Sequence, residues 1–247
     1  MKKIVYSFIV GLLLISCNSK KYQNQLRLNG KVQFCSDTKY SAKEIEGEVI
    51  IGDILGRQDF LFNEKGSILK ETHYNAYGED IKMYEYIYNK ENIVEKSTFH
   101  DKINDIKEGH NYIKRTWERE IREFYSTNDE RNGFFYIIRG KKGWTIEIQN
   151  KNTGNIVSRK DFFLDKSGNI IEEIDKENEK IVYWFQAKFD KQNQEVERNI
   201  IQSDSLIGLY RYEYENFDDK NNWISKLEYK NGELTTRTIR TINYMKE

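Results

Sequence analysis

Apolar and polar residues alternate along most of this chain with a period of two. Tyr84, Tyr86 and Tyr88 fall on one face of a short segment, with Glu85 and Ile87 on the other. Tyr183, Phe185, Ala187 and Phe189 share a face in the same way. So do Tyr210, Tyr212 and Tyr214, opposed by Arg211, Glu213 and Glu215. Trp223, Leu227 and Tyr229 are again two or four apart, with Lys226, Glu228 and Lys230 opposite. Alternation of this kind predicts strands with one face turned to a core. Near the end, Asn231-Gly232 separates two alternating segments, 224–230 and 233–242, and an Asn-Gly pair in that setting is the strongest short-range sign of a tight hairpin.

A motif recurs between the strands: an aromatic or Leu, then Asn or Asp, two polar residues, Gly or Asn, any residue, and an apolar residue. It runs Phe62 to Ile68, Tyr88 to Val94 and Leu164 to Ile170, with looser copies from Phe189 to Val196 and from Phe217 to Trp223. The copies start at 62, 88, 164, 189 and 217, so one period of about 25 residues accounts for the set if two degenerate copies lie between Tyr88 and Leu164. The chemistry is that of a turn. Asn or Asp bonds its own backbone, and Gly or Asn tolerates a left-handed conformation three residues later. Other turn signals lie midway: 76–80, 175–178 and 202–205. Each period therefore predicts two strands and two turns, and the fold class is mainly β, an antiparallel meander of tandem hairpins of about 25 residues and a dozen or more strands.

Residues 58–244 resemble the YD-repeat (RHS-like) proteins, whose tandem units carry aromatic, Asp and Gly at similar places. They are also similar to repeat-bearing lipoproteins of the Bacteroidetes type. In large YD-repeat proteins the repeats form a shell around another domain; this chain has nothing left over to enclose. One stretch gives a mixed signal. Ile103, Ile106, His110, Ile113, Trp117, Ile121 and Phe124 recur at steps of three and four, the helical period. The repeat period asks for strands there, and Gly109 sits in the middle, so strands are favoured over a short helix within 103–124.

The first residues carry a separate signal. Met1-Lys2-Lys3 is followed by an apolar run from Ile4 to Ile15, then Ser16 and Cys17. A basic start, a short apolar core and a small residue before a cut mark a secretory signal peptide. The run is too short to span a bilayer, which takes roughly 20 residues. Leu14-Ile15-Ser16-Cys17 resembles the lipobox of bacterial lipoproteins. The resemblance implies diacylglycerol on the Cys17 thiol, cleavage after Ser16, and an acyl chain such as palmitate on the new amino terminus. The expected organisation is a cleaved signal peptide (1–16), a lipidated polar tether (17–25) and one β-repeat domain (26–247). Asn18, and not Asp, follows Cys17, which by the sorting rule of that family favours the outer membrane over the inner.

Composition removes several function classes. The chain has 40 basic and 40 acidic residues, mixed in sign along its length, so it lacks the basic stripe that nucleic acid requires. With Cys17 acylated, Cys35 is the one remaining thiol, expected as a small buried hydrophobe. His73, His100 and His110 form no metal-ligand spacing, and neither a metal nor a cofactor is expected. No nucleophile elbow or phosphate loop is present. The acidic run around Glu118 and Glu120 reads as a solvated face. That leaves the tyrosine rows. Tyr84, Tyr86, Tyr88, Tyr210, Tyr212 and Tyr214 either form a platform for sugar rings or peptide side chains, or fill the core, where cross-strand aromatic pairs stabilise a sheet. The core reading is favoured. The expected function is a membrane-anchored, non-catalytic envelope lipoprotein that binds or scaffolds a protein or glycan partner. The alternatives are a carbohydrate-binding module using exposed tyrosines and, less favoured, a hydrolase with unrecognised carboxylates.

Overall fold

A computed structural model describes residues 26, 28–115, 119–126, 133–140, 142–177, 179–202 and 205–246. The signal peptide, Cys17 and the tether lie outside the described residues. Sixteen strands follow one another: β1 (Val32–Ile45), β2 (Glu48–Phe62), β3 (Ile68–Tyr74), β4 (Asp80–Tyr88), β5 (Val94–Asp101), β6 (Ile106–Arg115), β7 (Arg119–Ser126) and β8 (Gly133–Arg139). The second half continues with β9 (Gly143–Asn150), β10 (Ile156–Leu164), β11 (Ile170–Glu177), β12 (Lys180–Phe189), β13 (Glu195–Gln202), β14 (Ser205–Phe217), β15 (Trp223–Lys230) and β16 (Glu233–Tyr244). Each strand pairs antiparallel with its neighbours in sequence, and β16 returns to β1 from Cys35 opposite Ile242 to Ser41 opposite Thr236. The meander is thereby a closed barrel. Closure gives the first and last strands partners that an open sheet would leave exposed.

The repeated motif builds the turns of one rim. Asn63 Oδ1 accepts hydrogen bonds from the backbone N–H groups of Lys65 and Ser67, while Gly66 takes φ +78°. Asn89 does the same for Glu91 and Ile93 with Asn92 left-handed, and Asp165 for Ser167 and Asn169 with Gly168 left-handed. Asp218 serves Lys220 and Asn222, and Asp190 serves Gln194, with Asn221 and Asn193 left-handed. Adjacent turns also bond to each other: Asn63 Nδ2 donates to Asn92 Oδ1, and Asn169 Nδ2 to Asn193 Oδ1. Strand β6 passes to β7 after Arg115, and β8 to β9 after Arg139, on this same rim. Those two connections stand where the 25-residue period requires its degenerate copies.

The helical alternative within 103–124 is not what forms. Strands β6 and β7 occupy the segment, and Gly109 pairs with Thr98 on one side and Tyr125 on the other. A helix would have left the edges of β5 and β8 without partners for their backbone groups. The apparent helical spacing arises because turns interrupt the strands and shift the phase of the alternation.

Along most strands one alternate set is the more buried, and the pairing register carries that set around the barrel as its inner face. Cys35, Phe60, Tyr84, Tyr86, Phe99, Ile137, Ile146 and Phe162 belong to it and form one core cluster drawn from β1–β5 and β8–β10. A barrel of sixteen strands is wide enough for an aqueous channel, and here this cluster packs within it. Charges are also buried inside. Glu120 ion-pairs with Arg122 and with Arg139, and Lys160 Nζ lies 2.8 Å from both Glu173 and Asp175. The expected solvated face around Glu120 is therefore corrected: alternation placed Glu120 and Arg122 on the inner side, where mutual pairing offsets their desolvation. Cys35 is fully buried, and burial pushes its thiol up to about 12.

Candidate functional site

Packing is uneven around the barrel. Inner-face residues of β3–β10 are mostly buried, whereas those of β12–β15 include a half-buried series: Tyr183, Arg198, Tyr210, Tyr212, Tyr214, Lys226, Glu228 and Lys230. Register brings them into one wall. Arg198 stands opposite Tyr210, Tyr212 opposite Glu228, Tyr214 opposite Lys226, and Tyr210 opposite Lys230. Thr238 flanks Lys226 from β16, and Lys39 follows on β1. Trp223 joins them at the start of β15, its ring 5.6 Å from that of Tyr214 and 3.5 Å beneath the Arg240 guanidinium.

The six tyrosines named from the sequence divide between two settings. Tyr84 and Tyr86 are 8% and 5% exposed and belong to the core cluster, with Tyr84 4.7 Å from Phe99. Tyr88 donates its hydroxyl to the carbonyl of Ile68 at 2.6 Å. That row is core and not a platform: its face is turned into the core cluster of the barrel. Tyr210, Tyr212 and Tyr214 are also turned inward, but toward the half-buried wall. Tyr214 is tied by its hydroxyl to the carbonyl of Glu195. Burial raises the phenol pKa of Tyr212, and pushes that of Tyr183 up to about 12. Both remain neutral hydrogen-bond donors at physiological pH.

The cations of this wall outnumber its anions. Asp37 is held by Arg240 through two bonds of 2.7 Å, Glu195 by Arg198 through two of 2.7 Å, and Glu228 by Lys39 at 3.1 and 3.3 Å. Two ammonium groups are left over. Lys226 Nζ lies 5.1 Å from the ring centre of Tyr212 and 5.4 Å from that of Trp223, and Lys230 Nζ lies 5.7 Å from that of Tyr210. Among the described residues neither has a carboxylate or hydrogen-bond partner. Burial lowers the Lys226 pKa, opposed by Asp37 and Glu228, because taking a charge out of water disfavours the charged form. Ring faces, phenol donors and two unmatched ammonium groups on one concave wall suit a ligand with an anionic group and a flat or sugar ring.

A second polar cluster, on β10 and β11, abuts this wall through Tyr183, which pairs with Asp175. Burial raises Asp175 to about 6, against the pull of Lys160, and its Oδ1 has no hydrogen-bond partner among the described residues. One lysine clamps both Asp175 and Glu173. His110 is buried too, and desolvation presses its imidazole down to about 3, so it is neutral. Among the described residues no three His, Cys, Asp or Glu side chains converge on a metal position.

Lys226, Lys230, Arg198 and Trp223 escaped the sequence reading of this site. The alternation in β15 was legible, but Lys226, Glu228 and Lys230 read as the solvent face and Leu227 and Tyr229 as the buried one. The structure turns the charged set inward. Leu227 and Tyr229 face out and are covered by Ala42, Val49 and Leu234, with the Arg211 guanidinium 3.9 Å over the Tyr229 ring.

No protein-family model matches this chain, and no curated protein matches it in sequence. Solved structures match this chain at low identity. A porin-like protein from Bacteroides uniformis is 11% identical, with a TM-score of 0.48 over 87% of this chain and 99% of that one. A DUF1329 family protein from Desulfovibrio piger is 8% identical, with a TM-score of 0.25 over 92% of this chain and 90% of that one. At such values neither neighbour bears on what this chain binds.

Proposed function

We propose that this chain is a non-catalytic lipoprotein of the bacterial envelope, lipid-anchored through Cys17, whose barrel stands in water and binds a small anionic ligand against the β12–β16 wall. The observation that carries the reading is Lys226: an ammonium inside the barrel, set between two aromatic rings, with every nearby carboxylate already committed to another cation. A half-buried ammonium without an ion pair is costly, and it persists where a ligand supplies the counter-charge.

The outer face supports a barrel standing in water. Its mid-strand positions carry ion pairs: Arg57 with Asp59, Lys70 with Glu85, Arg159 with Glu147 and Asp161, Lys188 with Glu197, Arg237 with Glu215. A spanning barrel needs an outward apolar band, and each Arg or Lys at the bilayer midplane costs about 2–4 kcal/mol. The membrane attachment then rests on the leader. Leu26 O accepts from Arg240, and Asn29 bonds Asn222 and Lys220 of the turn between β14 and β15. On this reading Asn29, bonded to the motif turn between β14 and β15, puts that rim toward the membrane, the outer one by the residue after Cys17.

Binding is tested by titrating a uronic acid, a sugar phosphate and a neutral sugar of equal size while following tryptophan fluorescence and thermal unfolding. The acidic compounds are expected to bind and to raise Tm, and Lys226→Met is expected to weaken them at least tenfold while leaving the fold intact. Equal binding of the neutral sugar would favour the carbohydrate-module reading; binding unchanged in Lys226→Met would sink the site. Palmitate labelling, present in the parent and absent in Cys17→Ala, tests the anchor.

A further inference from the structure

The charges of the β14–β15 wall have a spacing as well as a sign. The two strands pair without a register shift, Tyr214 opposite Lys226, Tyr212 opposite Glu228 and Tyr210 opposite Lys230. The inner face is therefore a regular ladder of three rungs. Lys226 and Lys230 are four residues apart on an extended strand, about 13 Å between Cα atoms. Each ammonium has a ring beside it: Tyr212 and Trp223 at 5.1 and 5.4 Å from Lys226 Nζ, and Tyr210 at 5.7 Å from Lys230 Nζ. The middle rung is different. Glu228 is held by Lys39 at 3.1 Å, and that ion pair is complete without a ligand. From the motif rim onward the wall thus runs cation, neutral pair, cation, with a tyrosine on every rung. Gly208, opposite Ile200, continues the inner row of β14 beyond Tyr210. A Cβ there would lie 3.0 Å from Lys230 Cε and 3.0 Å from Tyr210 Cε2. The glycine leaves the room in which those two side chains stand.

We propose that the ligand of this wall is a linear acidic oligosaccharide lying along β14 and β15, with acidic units over Lys226 and Lys230 and an uncharged unit between them over Tyr212 and Glu228. The proposal rests on the binding wall described above and adds a length and a charge pattern to it. Two ammonium groups separated by a neutral rung fit carboxylates on every second unit. A carboxylate on the middle unit would stand beside Glu228, like charge against like. The flexible four-carbon stem of each lysine lets its ammonium follow the ligand's carboxylate. Tyr214 is tied to the carbonyl of Glu195, whereas among the described residues the hydroxyls of Tyr210 and Tyr212 have no hydrogen-bond partner and are left for sugar hydroxyls. An acidic peptide of the same spacing fits less well. Extended peptides bind by adding to an open sheet edge, and β14 and β15 already have a strand on each side. Joining two contacts in one ligand makes the second intramolecular and strengthens binding without a new kind of contact.

The test titrates the full chain in detergent with four probes while following tryptophan fluorescence. They are glucuronic acid, a tetrasaccharide alternating glucuronic acid with N-acetylglucosamine, tetragalacturonic acid with a carboxylate on every unit, and neutral chitotetraose. The alternating tetrasaccharide is expected to bind at least tenfold tighter than the monomer, and tighter than either of the other tetrasaccharides. Lys230→Met is expected to remove most of that gain. Gly208→Ala, which keeps the charge and displaces Lys230, is expected to reduce it with an unchanged far-UV spectrum. A gain that survives Lys230→Met overturns the proposal and leaves the Lys226 site standing, and so does an equal gain for chitotetraose or tetragalacturonic acid. Equal tightening by an extended peptide with Glu at its first and fifth positions overturns the assignment to a sugar. If neither monomer nor tetrasaccharide responds to Lys226→Met, the binding wall itself falls and the proposal with it.

Discussion

Replacing Arg240 with Met tests whether the barrel is held shut by a buried ion pair at its seam. Strands β1 and β16 are the two ends of the chain, and Arg240 on β16 joins Asp37 on β1 through two bonds of 2.7 Å. The Arg240 side chain is 3% exposed and that of Asp37 16%. A third bond runs from Nη1 to the carbonyl of Leu26, and the guanidinium covers the Trp223 ring. Methionine keeps the stem and much of the volume, so the loss is chiefly electrostatic. Removing one partner of a buried pair costs about 3–5 kcal/mol, most of it the stranded charge. Asp37 keeps some water and has Lys226 near it, which puts the cost at the lower end, about 3 kcal/mol. Removing the bond to Leu26 adds about 1 kcal/mol.

The assay is urea unfolding at pH 7 followed by tryptophan fluorescence and far-UV dichroism, with the difference taken from the midpoint at constant m. Removing both charges, Asp37→Asn with Arg240→Met, is expected to recover about half of the loss. An Arg240→Met cost below about 1 kcal/mol, the range of solvated pairs, would refute the seam argument. So would a double variant no better than the single one. Hydrogen exchange adds a spatial check, because amides of β1 and β16 should lose protection first if the pair acts at the seam.

Two further outcomes follow from local chemistry. Gly168 has φ +84° and open space where a Cβ would stand, so Gly168→Ala pays only for the left-handed backbone, about 1 kcal/mol; Tm should fall by roughly 2–4 °C, Gly168→Asn should cost less, and no fall in Gly168→Ala would show that the turn does not need that conformation. Asp175 has a folded-state pKa of about 6, raised by burial above its unfolded value. The native state therefore holds this proton longer than the unfolded chain does, and the stability tied to it falls as pH rises from about 4 to about 6, by about 3 kcal/mol. Asp175→Asn should remove that slope relative to the parent in urea midpoints at pH 4 and pH 7, and an unchanged slope would mean that Lys160 keeps the carboxylate ionised throughout.

The turns were legible in the sequence because their chemistry is local. Asn63, Asn89, Asp165, Asp190 and Asp218 each act on backbone groups within four residues, and the left-handed residue is named by its own type. The closure was not legible. Nothing near Val32 or Tyr244 states that these strands meet, since the pairing spans nearly the whole chain and depends on how far the sheet has coiled by β16. Which face turned inward was equally hidden in β15. Both of its alternate sets contain polar residues, so alternation fixed the period and left the choice of face to long-range packing. The binding wall inherits that gap, because Lys226 becomes notable only when its neighbours' carboxylates are seen to be taken.

Inner and outer faces of this barrel carry charge in different ways, and the difference bears on what the barrel is for. Outside, cations and anions alternate across neighbouring strands, with water to solvate any that go unmatched; such pairs contribute little to stability and keep the surface wet. Inside β10–β11 and at the seam, the charges are few and compensated within a bond length, as burial demands. The β12–β15 wall breaks this rule, with Lys226 and Lys230 unmatched beside half-buried tyrosines. A hydrophobic residue at position 226 would pack against Tyr212 and Trp223 without any desolvation cost. A barrel that needed only stability would favour such a residue, so the lysine argues for a counter-ion that arrives from outside the chain.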